Sequence, residues 1–223
     1  MELYPLLGIK RGVTAVIGSG GKSTLLHTLA QELKGRVLLC TSTHFMAYDD
    51  LPTVTEPTIE KIRQALGEDR VVCAGQETAK GKLTDCGLPY EMLAENADYV
   101  LVEADGSRRL PLKAHADFEP VIPKISRQVI CVVGLSGLHR AVREAVHRPE
   151  IFCPRTGCTP EDEVTAELVA AGLAREKLAD TYFLNQAESD LALRDAEVIA
   201  SVLKKQGVRV VCGSMRKNEY RIL

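Results

Sequence analysis

No stretch of the 223-residue sequence approaches the roughly 18 consecutive apolar residues of a membrane span, so none is expected to cross a bilayer. The first residues, Met1-Glu2-Leu3-Tyr4-Pro5, lack a basic segment followed by an apolar one, and no export signal is expected. An excess of one charge is also missing. With 28 Lys and Arg against 30 Asp and Glu, the formal net charge of -2 gives no general attraction to nucleic acid or anionic membrane. There is no internal repeat and no low-complexity segment. The seven cysteines are odd in number and scattered, and Cys40, Cys73, Cys131 and Cys212 fall inside apolar stretches that read as buried strands. That pattern excludes a disulfide framework and predicts reduced thiols in the cytoplasm. Cys153 and Cys158 form a close pair, but no histidine follows at zinc-finger spacing, so two ordinary thiols are expected there.

What the sequence does contain is an ordinary globular balance, 45% apolar and 26% charged, in a chain long enough to bury a substantial core. Short aliphatic or β-branched runs alternate with turn residues and segments of helical periodicity, which predicts an α/β fold. The expected architecture is three-layered and P-loop NTPase-like, with a mostly parallel central sheet and helices on both faces. Strands are predicted at 13–17, 36–40, 70–74, 99–102, 129–133, 181–184 and 208–212. Leu25, Leu26, Leu29, Ala30 and Leu33 mark a first helix closed by Gly35, and Ala192, Ala196, Ile199 and Leu203 mark the last. Residues 1–223 read as one nucleotide-binding domain, with loop insertions around 75–87 and 106–124 near the carboxyl ends of strands.

The first predicted strand runs into Gly18-Ser19-Gly20-Gly21-Lys22-Ser23-Thr24. Glycines there let the backbone turn tightly against an anion, and the following helix aims its free amides at the same point. Lys22 is expected to neutralise the β- and γ-phosphates of a nucleoside triphosphate, and Ser23 to ligate Mg2+. The usual G-x-x-x-x-G-K-(S/T) pattern needs glycine at position 16, where Val16 stands. The shorter loop resembles those of the Mur ligase and folylpolyglutamate synthase superfamily.

The strand ending in Glu103-Ala104-Asp105-Gly106 brings two carboxylates to its carboxyl end, suited to holding magnesium or orienting an attacking water. This E-x-x-G form resembles the Walker B segment of GTPases that assemble nickel and cobalamin centres, which implies a metal-side role for Glu103 and a place near the γ-phosphate for Gly106. Lys22, Glu103 and Asp105 are the expected catalytic set. Thr41-Ser42-Thr43-His44 groups hydroxyls beside the phosphate loop, so that Thr43 completes the magnesium shell, His44 meets substrate, or the segment caps a turn. Asn185-Gln186-Ala187-Glu188 resembles the N-K-x-D base-reading motif of GTPases, with Gln186 for lysine and Glu188 for aspartate. Gly213-Ser214 occupies the place of the later base-contacting loop. The nucleotide is GTP or ATP, with GTP slightly favoured. Lys113 and His115 are candidates for an anionic second substrate or members of a solvated loop, and His147 and Arg148 could reach a phosphate or pterin.

Taken together the chain resembles the YqeC family, an association carried by the loop Gly18 to Thr24, by Glu103-Ala104-Asp105-Gly106-Ser107 continuing to Pro111-Leu112-Lys113, by Glu119-Pro120-Val121-Ile122-Pro123, by His147-Arg148-Pro149 and by Leu184-Asn185-Gln186. These lie in chain order along nearly the whole sequence. The resemblance implies an accessory role in maturing a selenium-dependent molybdenum hydroxylase, with that enzyme or a selenium or pterin cofactor intermediate as partner. Three functions remain open at this point: a nucleotide hydrolase, a kinase or ligase acting on a small acceptor, and a nucleotide-switched interaction protein with little turnover.

Overall fold

The computed structural model describes residues 2–79 and 81–223. Its central feature is a nine-stranded sheet. In spatial order the strands are Glu219–Ile222, Arg209–Ser214, Thr181–Asn185, Gln128–Gly134, Gly12–Gly18, Tyr99–Glu103, Val37–Thr41, Val71–Ala74 and Thr53–Val54. Neighbours pair in parallel except at one edge, where Arg209–Ser214 turns back into Glu219–Ile222 as an antiparallel hairpin. Seven of these strands match the apolar runs of the sequence to within two residues at each end. A parallel strand buried on both faces must be apolar at nearly every position, which is why those runs read so clearly.

Side chains alternate across the sheet, and so do the helices that cover it. Val13, Ala15 and Ile17 point to one face, under the helices Ile59–Glu68 and Tyr90–Asn96 at one end and Ala166–Glu176 and Asp190–Leu203 at the other. Val16 points to the opposite face, with Leu25, Leu26 and Leu29 of the helix Lys22–Glu32 and Leu3 and Leu7 of the amino-terminal turn. Each of these fully buried leucines contributes about 1.5–3 kcal/mol of burial. The result is the expected three-layer α/β fold, a mostly parallel central sheet with helices on both faces. Thr58, Thr165 and Ser189 cap three of the helices by accepting a backbone N–H three residues on. Among the described residues, no helix is long and apolar enough to cross a membrane.

Three local expectations are corrected. The first helix ends at Glu32 with Leu33 already extended, so Gly35, at φ 149°, belongs to the turn into the next strand. The strand expected to be last continues to Ser214 and is followed by the hairpin strand Glu219–Ile222, so Gly213 and Ser214 lie in regular β structure, not in a loop. The insertions also carry strands of their own. Gln76–Glu77 and Leu83–Thr84 form a small antiparallel sheet with His44–Phe45, and Leu112–Lys113 pairs in parallel with Val146–His147.

Candidate functional site

Parallel pairing brings the carboxyl ends of the strands to one edge, and register decides which residues meet there. Val16 pairs with Glu103 on one side of the first strand, Gly18 with Val132 on the other, and Thr41 with Glu103 one strand further out. The loop after Gly18 then has little room. A Cβ on Gly20, at φ +84°, would sit 2.3 Å from Gly134 Cα and 2.8 Å from the Pro111 carbonyl oxygen. One on Gly21, at φ +132°, would meet Asn185 Nδ2 at 2.6 Å. Position 20 therefore requires glycine for both backbone conformation and space, and position 21 for its backbone conformation.

The helix Lys22–Glu32 begins at this loop with no side chain capping it, leaving its first amides directed toward the loop. Lys22 is buried. Its Nζ donates to the Gly18 carbonyl at 2.7 Å and lies 3.1 Å from Asp105 Oδ1 and 3.9 Å from Glu103 Oε1. The Ser23 hydroxyl donates to Glu103 Oε2 at 3.3 Å. An alcohol and a carboxylate oxygen side by side form a hard donor pair of the kind Mg2+ uses when phosphates and water complete its shell. Burial pushes the Glu103 carboxyl above its ordinary range and the Asp105 charge adds to this, while Lys22 works against it.

Asp105 has a different task from its neighbour. It is completely buried and accepts the Gly18 backbone N–H at 2.9 Å and His115 Nε2 at 2.8 Å, with Lys113 Nζ at 3.1 Å. Burial alone would raise its pKa, but the His115 hydrogen bond and the Lys22 and Lys113 charges outweigh it, and the carboxyl is held well below the usual range. His115 in turn bridges Asp105 and Glu176 Oε2, the latter at 2.7 Å from Nδ1. Burial disfavours its charge, yet the two carboxylates prevail and raise its pKa. Glu176 also receives Arg155 at 2.7 Å. This chain of charges clamps the base of the glycine loop to the helix Ala166–Glu176 on the sheet's other side.

The loop opens into a cleft of about 1480 Å³, measured out to solvent. Gly20 to Thr24, Glu103, Gly106 and His44 line it, as the sequence suggests. Thr43 lies at the end of the neighbouring strand, its hydroxyl 3.4 Å from that of Thr41, and does not line the cleft. Asn185 is brought to the loop from the far side, donating to the Gly20 carbonyl at 2.8 Å and accepting the Met215 N–H at 3.4 Å. Glu188 accepts the Ser214 hydroxyl at 2.9 Å and pairs with Arg216, so the two segments expected around a base are tied together.

Lys113 and His115 are buried beneath the loop and committed to Asp105, not displayed on a rim or in a solvated loop. Arg148 pairs with Glu119 at 2.8 Å and stacks over Phe118, and neither it nor His147 lines the cleft. Burial lowers the pKa of His147, and the Lys113, Arg148 and Arg108 charges lower it further. Sequence reasoning passed over Arg108, Arg109 and Arg140, which all line the cleft. The signal for the first two was their place, directly after a carboxylate-bearing strand end, inside a segment read only as an irregular insertion.

Comparison with known proteins supplies the rest. A family model described as YqeC protein matches residues 14–150. A curated relative from Escherichia coli (strain K12), described as uncharacterized protein YqeC, is 36% identical over 159 residues. That match covers 67% of this chain and 62% of the relative, so the chain spans less than two thirds of the length of the relative it matches. Among solved structures, the signal recognition particle 54 kDa protein from Aeropyrum pernix K1 in complex with GDP aligns at 14% identity and a TM-score of 0.46, over 98% of this chain and 46% of that one.

Proposed function

The chain belongs to the YqeC family, and from that premise we propose that it binds a purine nucleoside triphosphate with Mg2+ and hydrolyses it. The observation that carries this reading is the convergence of Lys22, Ser23 and Glu103 at the mouth of a glycine loop opening on a large cleft. Phosphoryl transfer asks little covalent chemistry of a protein, and positioning and charge stabilisation suffice. Lys22 is held ready by the Gly18 carbonyl and Asp105 and turns to the β- and γ-phosphates. Ser23 and Glu103 would hold the metal, which would supply neutralisation of the phosphate charge when bound. Asp105 serves as the anchor that keeps the loop and Lys22 in place.

On the base side, Glu188 offers a carboxylate to the donor edge of guanine, which favours GTP over ATP. Arg216 must release it for this to occur. Acting in the cytoplasm, the protein would couple this turnover to maturation of a selenium-dependent molybdenum hydroxylase cofactor. That role follows from the family resemblance alone, and the hydroxylase or a selenium- or pterin-bearing intermediate would be its partner.

Calorimetric titration of the wild-type chain and Lys22→Ala with GTP and ATP, each with Mg2+, tests the central claim, alongside release of free phosphate. Submillimolar binding of one nucleotide, weakened at least about 30-fold in Lys22→Ala by loss of a charge-assisted contact of about 2 kcal/mol or more, is expected. Absence of binding by both nucleotides, or undiminished binding by the variant, refutes it.

A further inference from the structure

Three features of the cleft point the same way. It extends well beyond the glycine loop: Gln186 of the base-side segment lines one part of it, and Phe45, Met46 and Lys82 line another. Its charge is one-sided, with Lys22, Lys82, Arg108, Arg109 and Arg140 set against the Glu103 carboxylate. A magnesium-bound nucleoside triphosphate carries a net charge of about -2 and leaves part of that positive field unanswered.

The third feature is the backbone of the arginines themselves. Arg108 and Arg109 are consecutive residues in the left-handed region, at φ 49° and 62°, where side chains other than glycine are strained. The turn is held there by backbone contacts. Leu110 N–H donates to the Ser107 carbonyl at 3.0 Å, Ser19 Oγ donates to the Leu110 carbonyl, and Lys113 Nζ donates to the Gly106 carbonyl. The two guanidinium groups are exposed, and among the described residues neither has a hydrogen-bond or carboxylate partner. A strained turn stitched to the phosphate loop, presenting two unengaged guanidinium forks into a cleft, is built to receive an oxyanion.

We propose that Arg108 and Arg109 form a second anion subsite beyond the γ-phosphate position, which takes a small phosphate- or carboxylate-bearing molecule alongside the nucleotide. Arg140, which also lines the cleft, adds charge, and exposed Met46 offers an apolar contact for the body of such a ligand. The subsite rests on the nucleotide reading above, because it is defined as the space left once the triphosphate is seated. It also moves the place of a second substrate away from Lys113 and His115, which the fold has committed to Asp105.

The test uses the chain saturated with Mg2+ and a β,γ-methylene analogue of GTP or ATP, so that the γ-phosphate position is filled. Inorganic phosphate is then titrated in calorimetrically. Saturable binding of about one phosphate is expected in the wild-type chain. In Arg108→Asn/Arg109→Asn, chosen because asparagine tolerates the left-handed backbone, phosphate binding weakens at least about tenfold while analogue affinity stays within about threefold. A second variant, Arg108→Lys/Arg109→Lys, keeps the charge and loses the planar fork, and an intermediate weakening is expected from it whether or not the asparagine variant folds. Absence of phosphate binding to the analogue-loaded wild type, or variants that bind phosphate as well as wild type, overturns the subsite alone. Parallel loss of analogue and phosphate assigns the arginines to the nucleotide's own phosphates and overturns it equally. Failure of the analogue to bind the wild type overturns the nucleotide reading, and the subsite with it.

Discussion

Replacing Asp105 with asparagine should be the most damaging isosteric change in the molecule. The carboxylate is completely buried and faces Lys22 at 3.1 Å, Lys113 at 3.1 Å and His115 at 2.8 Å, while accepting the Gly18 N–H. An asparagine side chain could keep the Gly18 contact through its amide oxygen, but it removes the one negative charge on which those cations converge. Breaking a buried ion pair by removing one partner costs about 3–5 kcal/mol when the charge left behind has no other partner; Lys22, Lys113 and His115 keep Glu103 at 3.9 Å, Glu119 at 2.8 Å and Glu176 at 2.7 Å, so a loss of about 3 kcal/mol, the lower end of that range, is expected. For a chain of 150–250 residues each kcal/mol moves the melting temperature by about 2–4 °C, so a fall of about 6–12 °C is expected in Asp105→Asn. Circular dichroism melts at pH 7 measure it directly. A second readout follows from the same geometry: the His115 pKa, raised in part by Asp105, should fall toward its ordinary value when followed by histidine NMR titration. A melting temperature within about 3 °C of wild type, with an unmoved His115 titration, would refute the account of Asp105 as the electrostatic anchor of the loop.

Other expectations are equally concrete. The pKa of His115 is raised by folding, so its contribution to stability is complete below the unfolded value of about 6.5 and is lost as pH rises through the folded value. Urea midpoints should therefore decline above about pH 6.5 in the wild-type chain, and His115→Gln should decline less over the same range; parallel curves would contradict it. Gly20→Ala combines an unfavourable backbone conformation with a Cβ 2.3 Å from Gly134 Cα, and should lose about 2–4 kcal/mol in chemical denaturation together with nucleotide binding. Thiol titration of the native chain should show Cys158 reacting first, since the other cysteines are buried and burial together with its neighbour Cys158 pushes the Cys153 thiol up to about 11. Several thiols reacting at equal speed before unfolding would show that the core is not closed as described.

The residues that the sequence disclosed are those whose physics is local. Strands buried on both faces must be apolar throughout, so Val13 to Ile17 or Val129 to Val133 can be recognised without knowing their neighbours. The glycines before Lys22 announce a tight turn at a helix start for the same reason. The hairpin strand Glu219–Ile222 escaped because only Tyr220 in it is buried, which leaves no apolar run to read. The two-residue strands around His44–Phe45 and Leu83–Thr84 are too short to have a period at all.

Amino-acid order alone determined the succession of strand, glycine loop and helix, and the carboxylate-ended strand of the same sheet. Only the tertiary structure decided how the two carboxylates divide their work. Glu103 stays at the mouth of the cleft beside Ser23, whereas Asp105, two residues on, turns inward to Gly18, Lys113 and His115. Lys113 and His115 are thereby withdrawn from solvent, and Arg108 and Arg109 are left facing it. Nothing in residue type separates these four basic side chains. What separates them is whether a buried charge lies within reach to offset the cost of leaving water, and that depends on contacts formed between distant parts of the chain.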